Sequence, residues 1–220
     1  MKKTTLIFFA LSCSIGAIAQ NRTGEVRGFV VDPKGNPVAG ATVRAYGAEE
    51  GPVFRSVPEA QTDQSGQFTL GNLSLGGYNL MAMKEDAGYP NPYFSFYGPR
   101  QPVSITLSSD APRVDSIRLM LEPKAAVVEG TISDALSGEL LRAVIHMWRA
   151  DNEIYDIDQG VVGHYRILIP ADTEVRISVR SPSHQEWFNG GATEASGTAS
   201  IVMSAGDSQE LQVKLARTAQ

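Results

Sequence analysis

The sequence predicts an all-β chain made of two tandem β-domains, and three observations support this prediction. Short runs of β-branched or alternating apolar residues are separated by turn signals rich in Gly and Pro. No segment of residues 24–122 keeps a helical apolar period over several turns, which predicts almost no helix there. One set of residue spacings occurs twice, about one small domain apart, as expected for an internal repeat.

The repeat is defined by two glycines and by the residues that follow them at fixed distances. In each copy, an Asp stands four residues and an Ala thirteen residues after the opening Gly. A later Gly is followed twelve residues on by an apolar strand residue. These positions are Gly28, Asp32, Ala41, Gly66 and Tyr78 in the first copy, and Gly130, Asp134, Ala143, Gly163 and Val175 in the second. The shared spacing predicts two copies of one β-domain.

The first copy, residues 24–122, is predicted to contain six strands. Apolar residues alternate with polar ones, or β-branched residues are dense, at 25–31, 41–46, 67–70, 78–83, 103–107 and 114–121. Asp32, Pro33 and Gly35 predict the first turn, because Pro presets φ, Gly accepts positive φ and Asp bonds to the backbone ahead of it. A surface loop is expected at 47–58 and a second turn at 63–66.

The second copy, residues 125–217, follows a boundary around Pro123. Strands are predicted at 126–132, 141–148, 165–169, 173–179, 201–203 and 211–215. Trp148 ends the second of these patterns and is predicted to lie in the core. The linker at Pro123 is short, so we expect the two domains to touch.

The N-terminus predicts a signal peptide at residues 1–19. Lys2 and Lys3 precede an uncharged, largely apolar stretch, and 17–19 has the small-x-small pattern of a cleavage site before Gln20. Two alternatives remain open: a retained membrane anchor, and lipidation at Cys13. The expected destination is the periplasm, the cell surface or the exterior.

Composition narrows the functions that are available to the mature chain. Cys13 is the only cysteine, so cleavage before Gln20 leaves no disulfide, no cysteine metal site and no thiol nucleophile. The net charge of −5 becomes −7 once Lys2 and Lys3 are removed, which disfavours nucleic acid and anionic membrane surfaces as partners. No membrane span is expected after cleavage.

The first copy resembles the carboxypeptidase regulatory-like domain family. The motif residues are Gly28, Val30, Asp32, Gly35, Pro37, Gly40, Ala41 and Val43, then Thr62, Asp63, Gly66 and Phe68, then Leu73 and Tyr78. The resemblance implies a transthyretin-like Greek-key β-sandwich, a fold grouped with starch-binding-like domains. The expected chain is therefore all-β, with two tandem Greek-key β-sandwich domains after a signal peptide, the second degenerate. Turn glycines and core positions imply a fold and no activity.

No pattern predicts a catalytic residue, a metal site or a cofactor. His146, His164 and His184 are the only histidines, and none stands in a zinc-peptidase arrangement. The acidic segment 151–160 could supply oxygen ligands to Ca²⁺ through Asp156 and Asp158, but it lacks the order of an EF-hand, and a solvated loop is the alternative. Paired carboxylates for glycoside hydrolysis would need a cleft, which a small sandwich rarely provides.

A Pro-stiffened segment dense in aromatic residues, 89–99, is the predicted binding element. Its rings could stack on sugars or on a partner protein. The predicted ligand-binding residues are Tyr89, Tyr93, Tyr97 and, in the second copy, Trp187. Tyr93, Tyr97 and Trp187 are expected to be exposed, whereas Phe94 and Phe96 are expected to pack inward. The alternative is that all these rings cover a sandwich edge or fill the interface between the domains.

The sequence therefore predicts an exported, non-enzymatic binding module. Its partner would be a polysaccharide, bound through the aromatic segment. The alternative is a structural or protein-interaction module of the cell envelope with no small-molecule ligand.

Overall fold

The computed structural model describes residues 23–48, 57–97, 102–150, 154–158 and 162–218. The predicted signal peptide and Cys13 lie outside the described residues, as does most of the predicted loop 47–58. Within those ranges, no helix is long and apolar enough to cross a membrane. The helical elements there are three single turns, Glu85–Ala87, Ser95–Tyr97 and Ala195–Gly197. The prediction of an all-β chain is confirmed.

The described residues within the first half of the chain, 23–122, form seven strands. They are β1 (Thr23–Val31), β2 (Thr42–Gly47), β3 (Glu59–Gln61), β4 (Gln67–Ser74), β5 (Gly76–Met83), β6 (Val103–Leu107) and β7 (Arg113–Met120). Six of them were predicted. The short strand β3 was not, because three residues are too few to show alternation.

In the second half, 125–218, the part of the chain that the structure describes forms nine strands. They are β8 (Ala126–Asp134), β9 (Val144–Arg149), β10 (Ile154–Asp158), β11 (His164–Ile169), β12 (Val175–Arg180), β13 (Trp187–Phe188), β14 (Ser200–Ile201), β15 (Ser208–Glu210) and β16 (Val213–Leu215). Part of the predicted acidic loop is therefore the strand β10, which pairs with β9.

Strands pair in the same order in the two halves. In the first half, β1 lies between antiparallel β4 and parallel β7, and β3-β2-β5-β6 form the second sheet. In the second half, β8 lies between antiparallel β11 and parallel β15 and β16. The other sheet there is β10-β9-β12-β13, with β14 also paired to β12.

Each pair of sheets encloses its own cluster of buried side chains, as in a β-sandwich. The first cluster joins β1, β4 and β7 to β2, β5 and β6 through residues such as Val30, Phe68 and Leu80. The second joins β8, β11 and β16 to β9, β12 and β14 through residues such as Ile132, Ile167 and Ile177. In β2 and β9, inward and outward residues alternate with nearly the same burial pattern.

The repeated Asp builds the same turn in both halves. Asp32 Oδ1 accepts hydrogen bonds from Lys34 N and Asn36 N at 2.9 and 2.8 Å. Asp134 Oδ1 accepts from the backbone N of residues 136 and 137 at the same two distances. The Asn36 side-chain amide, followed by the Asn36 N–H, lowers the pKa of Asp32, and the Ser137 N–H contributes most to the lowered pKa of Asp134. The predicted turn role of Asp32 is confirmed.

Candidate functional site

The aromatic segment, residues 89–97 of the described chain, folds back onto the first half at Tyr89. Gly88 adopts a φ of 86°, and Lys84 and Tyr89 then exchange two backbone hydrogen bonds of 3.1 and 2.9 Å. The Tyr89 ring packs against the first core, and Lys124 Nζ lies 5.2 Å from its centroid. Burial, with a smaller effect from the charge of Asp32, raises the pKa of the Tyr89 phenol.

Tyr93 in the same segment stacks on a ring of the first half. Its centroid lies 4.4 Å from that of Tyr46 with an interplanar angle of 18°. Tyr46 stands on the outward face of β2, so the segment covers part of that face. The buried side chain of Asn91 holds the turn, because its Oδ1 accepts a hydrogen bond of 3.0 Å from Tyr93 N.

The end of the aromatic segment enters the second half. Phe96 is 2% exposed and belongs to the second core. Arg149 Nη1 donates to the carbonyl of Phe96 at 2.8 Å, and Tyr97 Oη donates to the carbonyl of Leu168 at 3.3 Å. The Tyr155 ring lies 4.9 to 5.9 Å from those of Phe94, Phe96 and Tyr97. Burial raises the pKa of both phenols, Tyr97 and Tyr155.

The prediction that Tyr93, Tyr97 and Trp187 are exposed is wrong, since each is half-buried. Tyr97 and Trp187 pack against the second core, and Tyr93 has stacked on Tyr46. Phe96 packs inward as predicted, whereas Phe94 is half-buried. The four predicted binding residues do not converge: Tyr89 contacts the first core, and Trp187 the second.

The prediction that Trp148 lies in the core is also wrong. Ile145 and Met147 of β9 are buried in the second core, so His146 and Trp148 project from the opposite, outward face of the sheet. Their rings lie 5.3 Å apart at 41°. The strand alternation was visible in the sequence and would have located this face.

Trp148 and His146 line a cleft of about 270 Å³ on the outward face of the second half. The lining is completed by Ile154, Ser178, Arg180 and Phe188 of the neighbouring strands, by Glu186 just before β13, and by Ala195 of the helical turn Ala195–Gly197. Ser178 of β12 pairs with His146 of β9 on one side and with Phe188 of β13 on the other. We call this the Trp148 cleft.

A small polar cluster occupies one side of the Trp148 cleft. Ser178 is fully buried, and its hydroxyl donates to Glu186 Oε1 at 2.6 Å. Arg180 Nε donates to the same oxygen at 2.9 Å. The carboxylate is thereby held in place by two donors, and the guanidinium balances its charge.

The histidines and carboxylates of the described residues do not form a metal centre. No group of three or more His, Cys, Asp or Glu that could hold a metal occurs among them. His146 and His164 stand on β9 and β11, and His184 Nε2 lies 3.1 Å from Asp134 Oδ2. Parts of the acidic segment, 151–153 and 159–160, lie outside the described residues.

Asp134 joins the first turn of the second half to the end of the chain. Its side chain is 1% exposed, and Oδ2 accepts 2.8 Å from Arg217 Nε in addition to the contact with His184. The pKa of Asp134 lies well below its usual range, chiefly through the Ser137 N–H and then the Arg217 guanidinium. This arrangement stabilises the fold and faces no cleft described here.

The sequence of the first half matches a known family. Residues 25–111 match the sequence model of the carboxypeptidase regulatory-like domain, which confirms the resemblance of the first copy over those residues. The match does not reach the second copy, which stays a prediction from residue spacing. No curated protein matches the chain.

Solved structures give weaker similarities. The Bacillus anthracis TIE protein is 15% identical with a TM-score of 0.35, over 90% of this chain and 34% of that one. A streptococcal ancillary pilin has the same identity and TM-score, over 91% of this chain and 64% of that one. A DUF3823 family protein from Bacteroides ovatus is 13% identical with a TM-score of 0.32, over 81% and 97%. The chain thus spans about a third of the TIE protein and slightly less than two thirds of the pilin.

Proposed function

We propose that this protein is an exported, non-catalytic protein-interaction module of the cell envelope. Its two domains would be residues 24–122 and 125–217, delivered by a signal peptide at 1–19. The match of residues 25–111 to a regulatory-like domain supports the non-catalytic assignment. The predicted signal sequence supports export.

The observation that supports the proposal is the distribution of exposed large apolar side chains between the two halves. Of the seven exposed ones among the described residues, six belong to the second half and one, Met120, to the first. Leu136 is 91% exposed, and Leu140 packs over Gly163, next to exposed Val162. Where exposed apolar side chains lie close together, as Leu140 and Val162 do beside Gly163, they favour contact with another macromolecule.

The repeat spacing shows that this apolar character is specific to the second half. Counted from the opening glycines, Leu136 corresponds to Lys34, and counted from the later glycines, Val162 corresponds to Ser65. The same turns are therefore polar in the first half. Packing of the second half does not require apolar residues there, because both side chains point to solvent.

The aromatic segment supports the proposal by joining the two halves into one body. Phe96 places a buried ring in the core of the other half, and Arg149 bonds to its carbonyl. A surface on the second half would then keep a constant orientation to the first. Rigid presentation reduces the entropy that is lost on binding.

The experiment replaces the apolar residues with those of the first half. Leu136→Lys with Val162→Ser follows the corresponding residues of this chain, and Met120→Lys in the first half is the matched control. Affinity-tagged full-length chains are cross-linked in the cells that export them and then purified. We expect proteins joined to the wild type and the control to be lost from the double variant. Equal recovery from all three chains would contradict the proposal.

A second candidate function, carbohydrate binding, is favoured by a separate observation. It was predicted for Tyr89, Tyr93, Tyr97 and Trp187, but these half-buried rings already have intramolecular contacts. The Trp148 cleft combines aromatic side chains with a polar cluster, which is the composition that a sugar site requires. We therefore propose it as the site of the second candidate function.

A further inference from the structure

We propose that the Trp148 cleft binds one pyranose ring of a neutral glycan, with the ring stacked on Trp148. This inference rests on the second candidate function and is independent of the protein-interaction proposal. Three features of the molecule support it: an equivalent aromatic position in the first half, the polar cluster, and the size and charge of the cleft.

The first half already has a ring stacked at the equivalent position. Tyr46 and Trp148 are the fifth residues of β2 and β9, and both face outward beside residues of the next strand, Asn79 and Arg176. The Tyr93 ring stacks on Tyr46 at 4.4 Å and 18°. At Trp148, the chain leaves a cleft instead. Trp148 is half-buried and its ring lies 5.3 Å from that of His146, so the part of the indole that borders the cleft is the surface on which an external ring would stack.

The polar cluster decides which kind of ring fits. Among the described residues, the hydrogen bonds of the cluster use Glu186 Oε1 and Arg180 Nε. Glu186 Oε2 and the terminal guanidinium nitrogens thus keep their capacity for further bonds. An aromatic side chain of a partner would desolvate these groups without pairing them, which costs free energy. A sugar ring offers hydroxyl groups to them and its apolar C–H face to the indole.

The size and charge of the cleft point to one uncharged ring. Its volume of about 270 Å³ lies just below the range of roughly 300–1,000 Å³ for pockets that hold drug-sized ligands. Arg180 and Glu186 neutralise each other at 2.9 Å, so the pair attracts neither anions nor cations strongly. Ile154, 57% exposed, stands beside the cleft and could contact the neighbouring unit of a longer glycan.

The test measures binding of defined neutral oligosaccharides to the full chain. Trp148 and Trp187 are the only tryptophans, so Trp187→Phe leaves Trp148 as the single fluorescent reporter. Maltohexaose, cellohexaose, xylohexaose and mannohexaose are titrated separately, and calorimetry on the wild type checks each response. We expect saturable quenching by at least one of them. Absence of binding by all four, in both measurements, would overturn the inference.

Variants then locate the site by calorimetry. Trp148→Ala should weaken binding about tenfold or more, because stacking and burial are lost together. Glu186→Gln keeps the shape of the cleft and should weaken binding by changing the polar cluster. This variant tests the same cleft even if Trp148→Ala fails to fold. Tyr93→Ala, in the aromatic segment, should leave the affinity unchanged. Binding that survives Trp148→Ala and Glu186→Gln, or that is lost in Tyr93→Ala, would overturn the assignment. Binding of an aromatic peptide, together with no binding of any of the four oligosaccharides, would also overturn the assignment.

Discussion

The opening glycine of each copy is required by a close approach between strands. A Cβ added at Gly28 would lie 2.1 Å from the carbonyl oxygen of Ile117 on the parallel neighbour β7, and one at Gly130 would lie 2.1 Å from that of Leu211. Even a contact of 3.0 Å would require a separation larger by about 0.9 Å. The obstacle is backbone, so Gly28→Ala must displace β1 from β7.

The expected loss follows from this displacement. Overpacking costs about 1–3 kcal/mol, and a backbone obstacle favours the upper end. Relief of glycine's entropy in the unfolded chain offsets roughly 0.5–1 kcal/mol of that cost. We therefore expect Gly28→Ala to lower the free energy of unfolding by about 2–2.5 kcal/mol. For a domain near a hundred residues this corresponds to a fall in Tm of roughly 10–20 °C.

Two spectroscopic signals separate the halves in this assay. Both tryptophans lie in the second half, so their fluorescence reports its unfolding, whereas far-UV circular dichroism reports both halves. Gly28→Ala should lower the midpoint of the first-half transition, and Gly130→Ala that of the fluorescence transition. Gly71→Ala in β4 is the matched control, because an added Cβ there meets nothing within 4 Å. If Gly28→Ala melted together with Gly71→Ala and the wild type, the close-approach argument would be refuted.

Three further predictions concern the junction and two buried polar groups. Phe96 belongs to the first half, but its ring is buried in the second core, so Phe96→Ala should destabilise the second half by about 3–5 kcal/mol in the fluorescence transition. Tyr93→Ala is the control and should leave that transition unchanged. An unshifted midpoint for Phe96→Ala would show that the halves are not coupled there. Asp134→Asn should destabilise the second half at pH 7. Folding lowers the pKa of Asp134, so its contribution to the free energy of unfolding is complete above the ordinary value of 3.8 and is lost as the pH falls below that value. The stabilities of the wild type and Asp134→Asn, measured by urea titration, should therefore converge in acid. A stability difference that stays constant with pH would contradict this. Thr62→Val should cost the first half about 1–3 kcal/mol, because the buried hydroxyl accepts from Ala41 N at 2.8 Å and donates to the Val38 carbonyl at 2.7 Å. Unchanged circular dichroism melting of Thr62→Val would indicate that water replaces the hydroxyl.

Local chemistry explains why most of the fold could be predicted. The Asp-based turns depend on hydrogen bonds across two to four residues, and most strands longer than four residues show their alternation directly. The strands β3, β13 and β15 were not predicted because two or three residues are too few to show alternation, and β10 was not predicted because its acidic residues resemble those of a solvated loop. Trp148 was predicted to lie in the core, although the alternation of β9 places it on the outward face of the sheet.

The binding residues could be predicted only in part, because aromatic density does not distinguish an exposed platform from an interface. Phe96 and Tyr97 contact residues about fifty to seventy positions away, and no local pattern encodes such a contact. The Trp148 cleft likewise joins β9, β10, β12 and β13. Its polar pair, Arg180 and Glu186, is separated by six positions, a spacing that has no significance until the chain reverses between them.

By itself, the sequence determined the all-β class, the turns and the regulatory-like character of residues 25–111, because these depend on backbone preferences and on alternation between neighbours. Only the tertiary structure decided which aromatic rings are used inside the molecule and which face outward. That choice depends on how two sheets and a connecting segment meet. Phe96 belongs to the second core because the aromatic segment carries its ring into the buried cluster of the second half. Among the residues that the structure describes, no ring stacks on Trp148 as Tyr93 stacks on Tyr46, and Trp148 borders a cleft.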